Sequence, residues 1–529
     1  MTIDAPGIES VPDFDDGEIP GRPQRPEGAG PDTEPGPRPG ARLTGPEGAH
    51  APPEGAPAPP GPGQKPARLM DVWVYKGKAY DLTDWINKHP GGAFFIGRTK
   101  NRDITAILNA YHPDPAKIEK MLERYSLDRQ ANPFDIHPKN NAPPFLFKDD
   151  FNSWHDTPKF NFDRSDDLLH RVKARLREPA MAARVKRMDR WFNVVAALLL
   201  VAYFGVQALR LGVPAWMPLP LFVIAMVTLR SCIAGYGHYA VHRRQRGANR
   251  ALVSSFDMNY VALSLVTQDG HTLLHHPHVQ SEVDIKKNVF TAMMELPRLY
   301  RVPVHTLHKI GHLFTGMPAR IVDVIRITRD VGVDEVYGTW RNARVHFFGS
   351  ITVRLLLIGE FVLFLAMGDV WAWVLQFLAT MWVSTFLIVA SHDFEEEDEE
   401  EPGDDWGVHQ LQESYDLTVV GNRYVDCFLS AGLSPHRAHH VLPFQRSGFA
   451  NIISEDVLRE EAAAQGIGWD KPKSFATDRL PKLLRAYLLT PSRDAQANGW
   501  GFIREHLSPK ACKASLVYAR AGFGGISSV

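Results

Sequence analysis

Three groups of closely spaced histidines carry the chemistry that this chain is equipped for. They are His238 and His242; His271, His275 and His276; and His436, His439 and His440. Spacings of three or four residues put imidazoles on one face of a helix, within reach of a shared metal. Eight such rings suffice for two metal ions. Imidazole suits iron, whereas histidine dominance argues against magnesium, calcium or manganese. The Glu and Glu-x-x-His pattern of carboxylate-rich di-iron bundles does not occur around these groups. His392 follows directly on a long apolar run and adds a ninth candidate. One His-x-x-x-His pair alone reads more simply as a solvated helix face, but three groups beside apolar runs outweigh that reading. His278 is expected either to support the ligands from behind or to line the cavity. His305, His308 and His312 form a helical stripe without a spacing partner, expected to be an interfacial face.

A second site lies nearer the N-terminus, in residues 68–127. Strand-like runs Val72–Tyr75 and Ala79–Leu82 flank a turn at Lys76–Lys78. His89-Pro90-Gly91-Gly92 follows, and His112 comes 23 residues after His89. Two histidines on opposing elements can clamp a haem iron from both faces. With both axial positions filled, such a haem carries electrons rather than binding oxygen. Gly91 and Gly92 permit a tight turn and a close backbone approach behind the ligand.

Four apolar segments must position the histidine groups: Trp191–Leu209, Pro214–Leu229, Ile351–Met367 and Val370–Ala390. Each can approach or span a bilayer core of about 30 Å. Arg354 and Glu360 interrupt the third, and an ionisable residue at that depth is either functional or a buried partner of another polar group. Residues 171–190 carry Arg171, Lys173, Arg175, Arg177, Arg184, Lys186, Arg187 and Arg190, and Arg243, Arg244, Arg246 and Arg250 follow the second segment. One loop joining the segments holds only Arg210 and the other no basic residue. This asymmetry predicts cytosolic termini, with every histidine group on the side of the haem module. Residues 251–268 are apolar but interrupted by Ser, Asp and Asn, which predicts an interfacial or buried helix.

The 529 residues exceed one compact domain, and a net charge of −1 implies no global pull toward nucleic acid. Three cysteines without a Cys-x-x-Cys fit a reducing compartment and no disulfide framework. The opening residues are acidic and proline-rich, so no signal peptide is expected. The predicted organisation is a disordered Pro/Gly/Ala-rich tail over 1–66, a haem-binding domain over 67–130, a linker and amphipathic region over 131–190, a membrane domain over 191–490 and a C-terminal tail over 491–529. The acidic run 395–401 reads as a solvated loop.

The segment 68–127 resembles cytochrome b5, most closely the b5 domains fused to lipid desaturases, through His89-Pro-Gly-Gly92 and the run Asp103–His112. Residues 150–490 resemble the membrane-bound fatty acid desaturases. Their three boxes match as His-x-x-x-His at 238–242, His-x-x-x-His-His at 271–276 and His-x-x-His-His at 436–440. The surroundings agree: His275-His-Pro-His-Val and His439-His-Val-Leu-Pro443 are similar to the family's sequences. Front-end desaturases usually begin the third box with Gln; His436 stands there instead, as in many other desaturases.

The resemblance implies a small α+β haem domain followed by an all-α polytopic membrane domain with four transmembrane helices and a cytosolic helical cap. It implies haem b between His89 and His112, framed by Pro90, Gly91 and Gly92. It further implies two iron ions held by His238, His242, His271, His275, His276, His392, His436, His439 and His440, with no other catalytic side chain. O2 would be co-substrate and the substrate a lipid acyl chain. A separate NAD(P)H-dependent, cytochrome b5 reductase-like partner is expected, since no flavin or NAD(P) fingerprint occurs. The membrane would be the endoplasmic reticulum in a eukaryote and the plasma membrane in a bacterium. Ligand count does not separate desaturation from hydroxylation by the same irons. A reading of another class is a haem-binding membrane receptor or adaptor without turnover, against which the three histidine groups speak.

Overall fold

The computed structural model describes residues 71–132, 135–136, 159–212, 216–243, 252–259, 268–281, 284, 292–316, 318, 322, 325, 339–392 and 403–524. The N-terminal tail, residues 133–134 and 137–158 of the linker, the acidic run, and Arg244, Arg246 and Arg250 lie outside the described residues.

The haem module is a three-stranded antiparallel sheet with short helices. β1 (Trp73–Tyr75) pairs with β2 (Lys78–Tyr80), Tyr75 facing Lys78, so that Lys76-Gly77 forms a two-residue hairpin turn. β3 (Ser126–Gln130) joins the other edge of β2; the sequence reading assigned no strand there. Between them run α1 (Ala93–Gly97), α2 (Thr105–Tyr111) and α3 (Pro115–Leu122). The side chain of Asp114 accepts the Lys117 amide, and Pro115 opens α3 where its missing N–H costs nothing. Trp73, Tyr75, Tyr80, Leu82, Ile104, Leu108 and Leu122 form the core.

The larger part begins with α4 (Leu168–Leu176), then α5 (Pro179–Gly212) and α6 (Leu219–Ala240). After α7 (Arg298–Gly311) come α8 (Trp340–Ala366) and α9 (Val370–Ala390). Among the described residues four helices, α5, α6, α8 from Phe347 and α9, are long and apolar enough to cross a membrane. Three of them outrun the apolar segments that announced them: α5 starts at Pro179 through the basic stretch, α6 continues to Ala240, and α8 starts at Trp340 rather than Ile351. Apolar composition marks depth in lipid, whereas the backbone ladder runs on until something interrupts it.

Inside the bundle Arg230 donates to Glu360 at 2.5 Å, and Glu360 also accepts from the Tyr203 hydroxyl and from Gln207 at 3.1 Å. Glu360 is therefore a buried, paired carboxylate. Arg210 and Asp369 join the loops at one end of the bundle at 2.6 Å. The opposite end carries the histidines, at the C-terminal ends of α6 and α9.

A helical cap covers that end: α10 (Trp406–Gln412), α11 (Arg423–Leu429), α12 (His436–Val441) and α13 (Gly448–Ala464). Residues Val253–Asn259 form a buried 3-10 helix against α6; of the helix expected over 251–268, residues 251 and 260–267 lie outside the described residues. The approach is close: a Cβ on Gly237 would sit 2.0 Å from the Phe256 nitrogen.

Two expectations are corrected. The stripe His305, His308 and His312 is buried rather than interfacial. It packs on α14 (Pro509–Phe523), His305 Nδ1 lying 3.0 Å from the Tyr518 hydroxyl and His308 Nδ1 donating to the Tyr518 carbonyl at 2.8 Å. Residues 491–524 are thus not a loose tail; a Ser508 cap starts α14 and its apolar side closes over α7.

Candidate metal centre

The first histidine group straddles the end of α6. His238 is its last-turn residue, and His242 sits in the turn that follows. The second group lies on a π-type turn, Gln268–His275, and continues to His276. In that turn the His276 amide donates to the His271 carbonyl at 3.2 Å. The wider pitch brings residues five apart together, and His271 Nε2 lies 3.2 Å from His276 Nε2. His275, four positions from His271, keeps its ring centroid 5.4 Å from that of His271, but its candidate ligand atom groups with other rings. The third group occupies α12, whose first turn is pinned by Asp416 accepting the Arg437 amide at 2.9 Å.

The rings assemble as two adjoining sets. His238, His242, His271, His276 and His439 form one, all buried, and His275, His392 and His440 the other, with candidate ligand atoms within 4.8 Å of one another in each. The sets touch where His276 stacks on His440, ring centroids 4.4 Å apart. His436 belongs to neither set; its ring lies 4.5 Å from His440 and 4.7 Å from His392, and its Nδ1 donates to the Ser391 carbonyl at 3.2 Å. His278 is buried outside both sets, its pKa pushed down to about 3 by burial and by Lys159.

Several rings are oriented by a hydrogen bond through Nδ1, which leaves Nε2 for a metal. His275 donates to Asp284 at 3.0 Å, His440 to the Gln410 side chain at 2.9 Å, and His392 to the Glu413 carbonyl at 3.1 Å. Burial raises the Asp284 pKa, but the His275 ring and hydrogen bonds outweigh it and hold the carboxyl below its usual range. His242 Nε2, His276 Nδ1, both nitrogens of His439 and His440 Nε2 are buried without a hydrogen-bond partner among the described residues. Burial, then the neighbouring rings, push His242, His276, His436, His439 and His440 far below the ordinary histidine pKa. Neutral rings with orphaned nitrogens converging on one place cost stability unless something accepts those lone pairs. A borderline metal such as iron fits that donor set.

In the haem module, His89 and His112 face each other with ring centroids 6.2 Å apart. Metal–nitrogen bonds of about 2 Å to two opposed imidazoles call for about 6 Å. His89 Nδ1 donates to the Gly92 carbonyl at 3.1 Å and His112 Nδ1 to the Leu108 carbonyl at 2.9 Å. Pro90 is exposed beside them. Gly92 has φ +116°, which glycine accepts without strain, and a Cβ on Gly91 would lie 2.7 Å from the His89 ring.

The module is docked on the metal centre. Leu273 and Leu274, between the histidines of the second group, pack with Ile107 of α2 and with Phe95. The buried Lys173 amine donates to the Asn109 carbonyl and, at 2.9 Å, to the His112 carbonyl. Tyr111 reaches His242. Spacing could not reveal Asp284, Gln410, Lys173 or Tyr111, because each meets its partner only through the tertiary fold.

A membrane bundle with a candidate two-metal centre at one end, next to a bis-histidine module, defines the class. Residues 214–447 match the family model described as Fatty acid desaturase, and residues 64–128 that of the Cytochrome b5-like Heme/Steroid binding domain. The chain thus joins a region similar to the fatty acid desaturases to a cytochrome b5-like domain. It is similar to "Acyl-lipid (7-3)-desaturase, chloroplastic" of Chlamydomonas reinhardtii, 23% identical over 78% of each chain. It is 24% identical to "Delta(5) fatty acid desaturase A" of Dictyostelium discoideum over 70% of this chain and 81% of that protein. "Cytochrome b5-related protein" of Drosophila melanogaster is 23% identical over 70% of this chain and 78% of its own length. No solved structure matches the chain significantly.

Proposed function

We propose that this protein introduces a double bond into a lipid acyl chain, using two iron ions, O2 and electrons delivered by its own haem module. The observation that carries the reading is the pair of adjoining imidazole sets with orphaned, inward-facing nitrogens. His238, His242, His271, His276 and His439 would hold one ion and His275, His392 and His440 the other, with His436 bordering the second. Iron bound there would supply the activation of O2 and the removal of hydrogen from an unactivated methylene, chemistry beyond amino-acid side chains. One O2, two electrons, two protons and two substrate hydrogens balance to one double bond and two waters.

The chain's own contribution is positional. Asp284, Gln410 and the Glu413 carbonyl hold their histidines in the tautomer that presents Nε2. The four membrane-spanning helices would set the acyl chain at the depth where the histidine-bearing ends of α6 and α9 meet the cap. His89 and His112 would hold the haem, and a separate NAD(P)H-dependent reductase would refill it with electrons one at a time. The basic residues of 171–190 support cytosolic placement of both termini and of the histidine-bearing end.

Lipid profiling of cells expressing the chain, against a His439→Ala control, tests the reading. A new unsaturated acyl chain lost in the control is the expected outcome. A hydroxylated product would assign the hydroxylase chemistry instead. Purified protein with haem but without iron would point to the non-catalytic reading.

A further inference from the structure

We propose that Tyr111 is the positioning residue that couples the haem module to the metal centre, and that His242 is the ligand facing the incoming electron. The inference rests on the function proposed above and adds the place where the two halves of the molecule meet.

Tyr111 is the last residue of α2 and precedes His112 in the chain. Its ring lies nearly parallel to that of His242, with centroids 5.8 Å apart and 17° between planes. Its hydroxyl is 3.1 Å from His242 Nδ1, while His242 Nε2 is buried without a partner among the described residues. An imidazole that gives Nε2 to a metal keeps its proton on Nδ1, so Nδ1–H donates to the phenol oxygen. One side chain is therefore joined by a single peptide unit to a candidate haem ligand and by a hydrogen bond to a candidate iron ligand. His275, His392, His436 and His440 have their orienting partners within the membrane domain. His242 takes its partner from the haem module.

The contact is held from several sides. The Lys173 amine binds two carbonyls at the end of α2, Arg177 donates to the Pro113 carbonyl at 3.3 Å, and Ile107 packs on Leu273 and Leu274. Haem held by His89 and His112 would supply one electron at a time, and iron held by the five-histidine set would take it up, the haem being oxidised and the iron reduced by one electron. The electron would come ultimately from the NAD(P)H-dependent reductase. Tyr111 is neither oxidised nor deprotonated; it fixes His242 and the spacing across which the electron passes.

The test uses full-length protein carrying haem and iron, with Tyr111→Phe and Tyr111→Leu variants. The haem of the oxidised protein is reduced by a flash in the absence of O2, and its reoxidation is followed optically. Iron content, haem spectrum and haem midpoint potential are measured alongside. With those three unchanged, Tyr111→Leu should slow reoxidation by about tenfold or more, as loss of a ligand-orienting contact does. Tyr111→Phe, which keeps the ring and loses the hydroxyl, should fall between it and the wild type. An iron-replete Tyr111→Leu protein that reoxidises at the wild-type rate overturns the inference. So does loss of iron in Tyr111→Phe, which would make the phenol a support for metal binding alone. If Tyr111→Leu does not accumulate, the Phe variant decides by its rate. Wild-type protein that binds no iron would instead sink the proposed function, which keeps the two failures apart.

Discussion

His271 and His276 are five residues apart in sequence, yet their Nε2 atoms lie 3.2 Å from each other. The π-type turn brings them to one set and turns the intervening His275 toward the other. The second histidine box thus contributes rings to both sets.

Substitutions in the second and third boxes should therefore separate by set. His271→Ala, His276→Ala or His439→Ala should remove at least one iron per protein and abolish product. His275→Ala or His440→Ala should act first on the three-histidine set. Iron analysis of purified variants together with lipid profiles checks this. A His276→Ala protein with full iron and normal product would contradict the assignment.

Asp284 donates no ligand atom to either set but fixes His275. Asp284→Asn keeps the shape while weakening its hold on the imidazole N–H. Iron affinity should fall about 10- to 100-fold, the range for loss of such a supporting partner. Chelator competition measures it, and the haem spectrum serves as the internal control.

The haem module and the metal centre should fail independently. His89→Ala or His112→Ala should eliminate the six-coordinate, low-spin haem spectrum and cut turnover, while iron stays bound. An added soluble b5 should restore part of the activity, because an electron carrier can be replaced from solution. A His242→Ala or His440→Ala protein should not be rescued, since nothing outside rebuilds a ligand set.

Stability should depend on pH in two opposed ways. Burial, then the nearby Glu455, push the Asp416 carboxyl up to about 7. The folded protein thus keeps a proton that the unfolded chain releases near pH 4, so this contribution is full below about 4 and is lost as pH rises through about 7. The buried histidines have depressed values, so their contribution is present above about 6.5 and is lost as pH falls. Below about pH 6.5 the two contributions oppose one another, and five histidines outweigh one carboxyl, so the melting temperature of metal-free protein should drop as pH falls. Asp416→Asn should remove the opposing contribution between about pH 4 and 7 and steepen that acid limb. An acid limb of unchanged steepness in that variant would clear Asp416 of the effect.

Membrane orientation gives a further test. Tags near residue 247 and at both termini should be shielded from impermeant reagents, and a tag at Asp369 should be reached. Asp369 pairs with Arg210 at the end of the bundle opposite the histidines. Accessibility at 247 would put the first histidine groups on the wrong side for the haem.

Much of this was legible in the sequence because it depends on local pattern. The four apolar runs, the histidine boxes, His89-Pro90-Gly91-Gly92 and the hairpin about Lys76-Gly77 all announce themselves within a few residues, where periodicity and turn chemistry act. What needed the tertiary structure depends on segments far apart in the chain. The split of the second box, with His271 and His276 in one set and His275 in the other, follows from the π-type pitch, which no spacing rule distinguishes from an α-helical one. The pairings of Asp284 with His275, Glu360 with Arg230 and Tyr111 with His242 form only when bundle, cap and haem module pack together. Burial decides these matters: it strips water from polar groups and obliges each to find its partner within the fold.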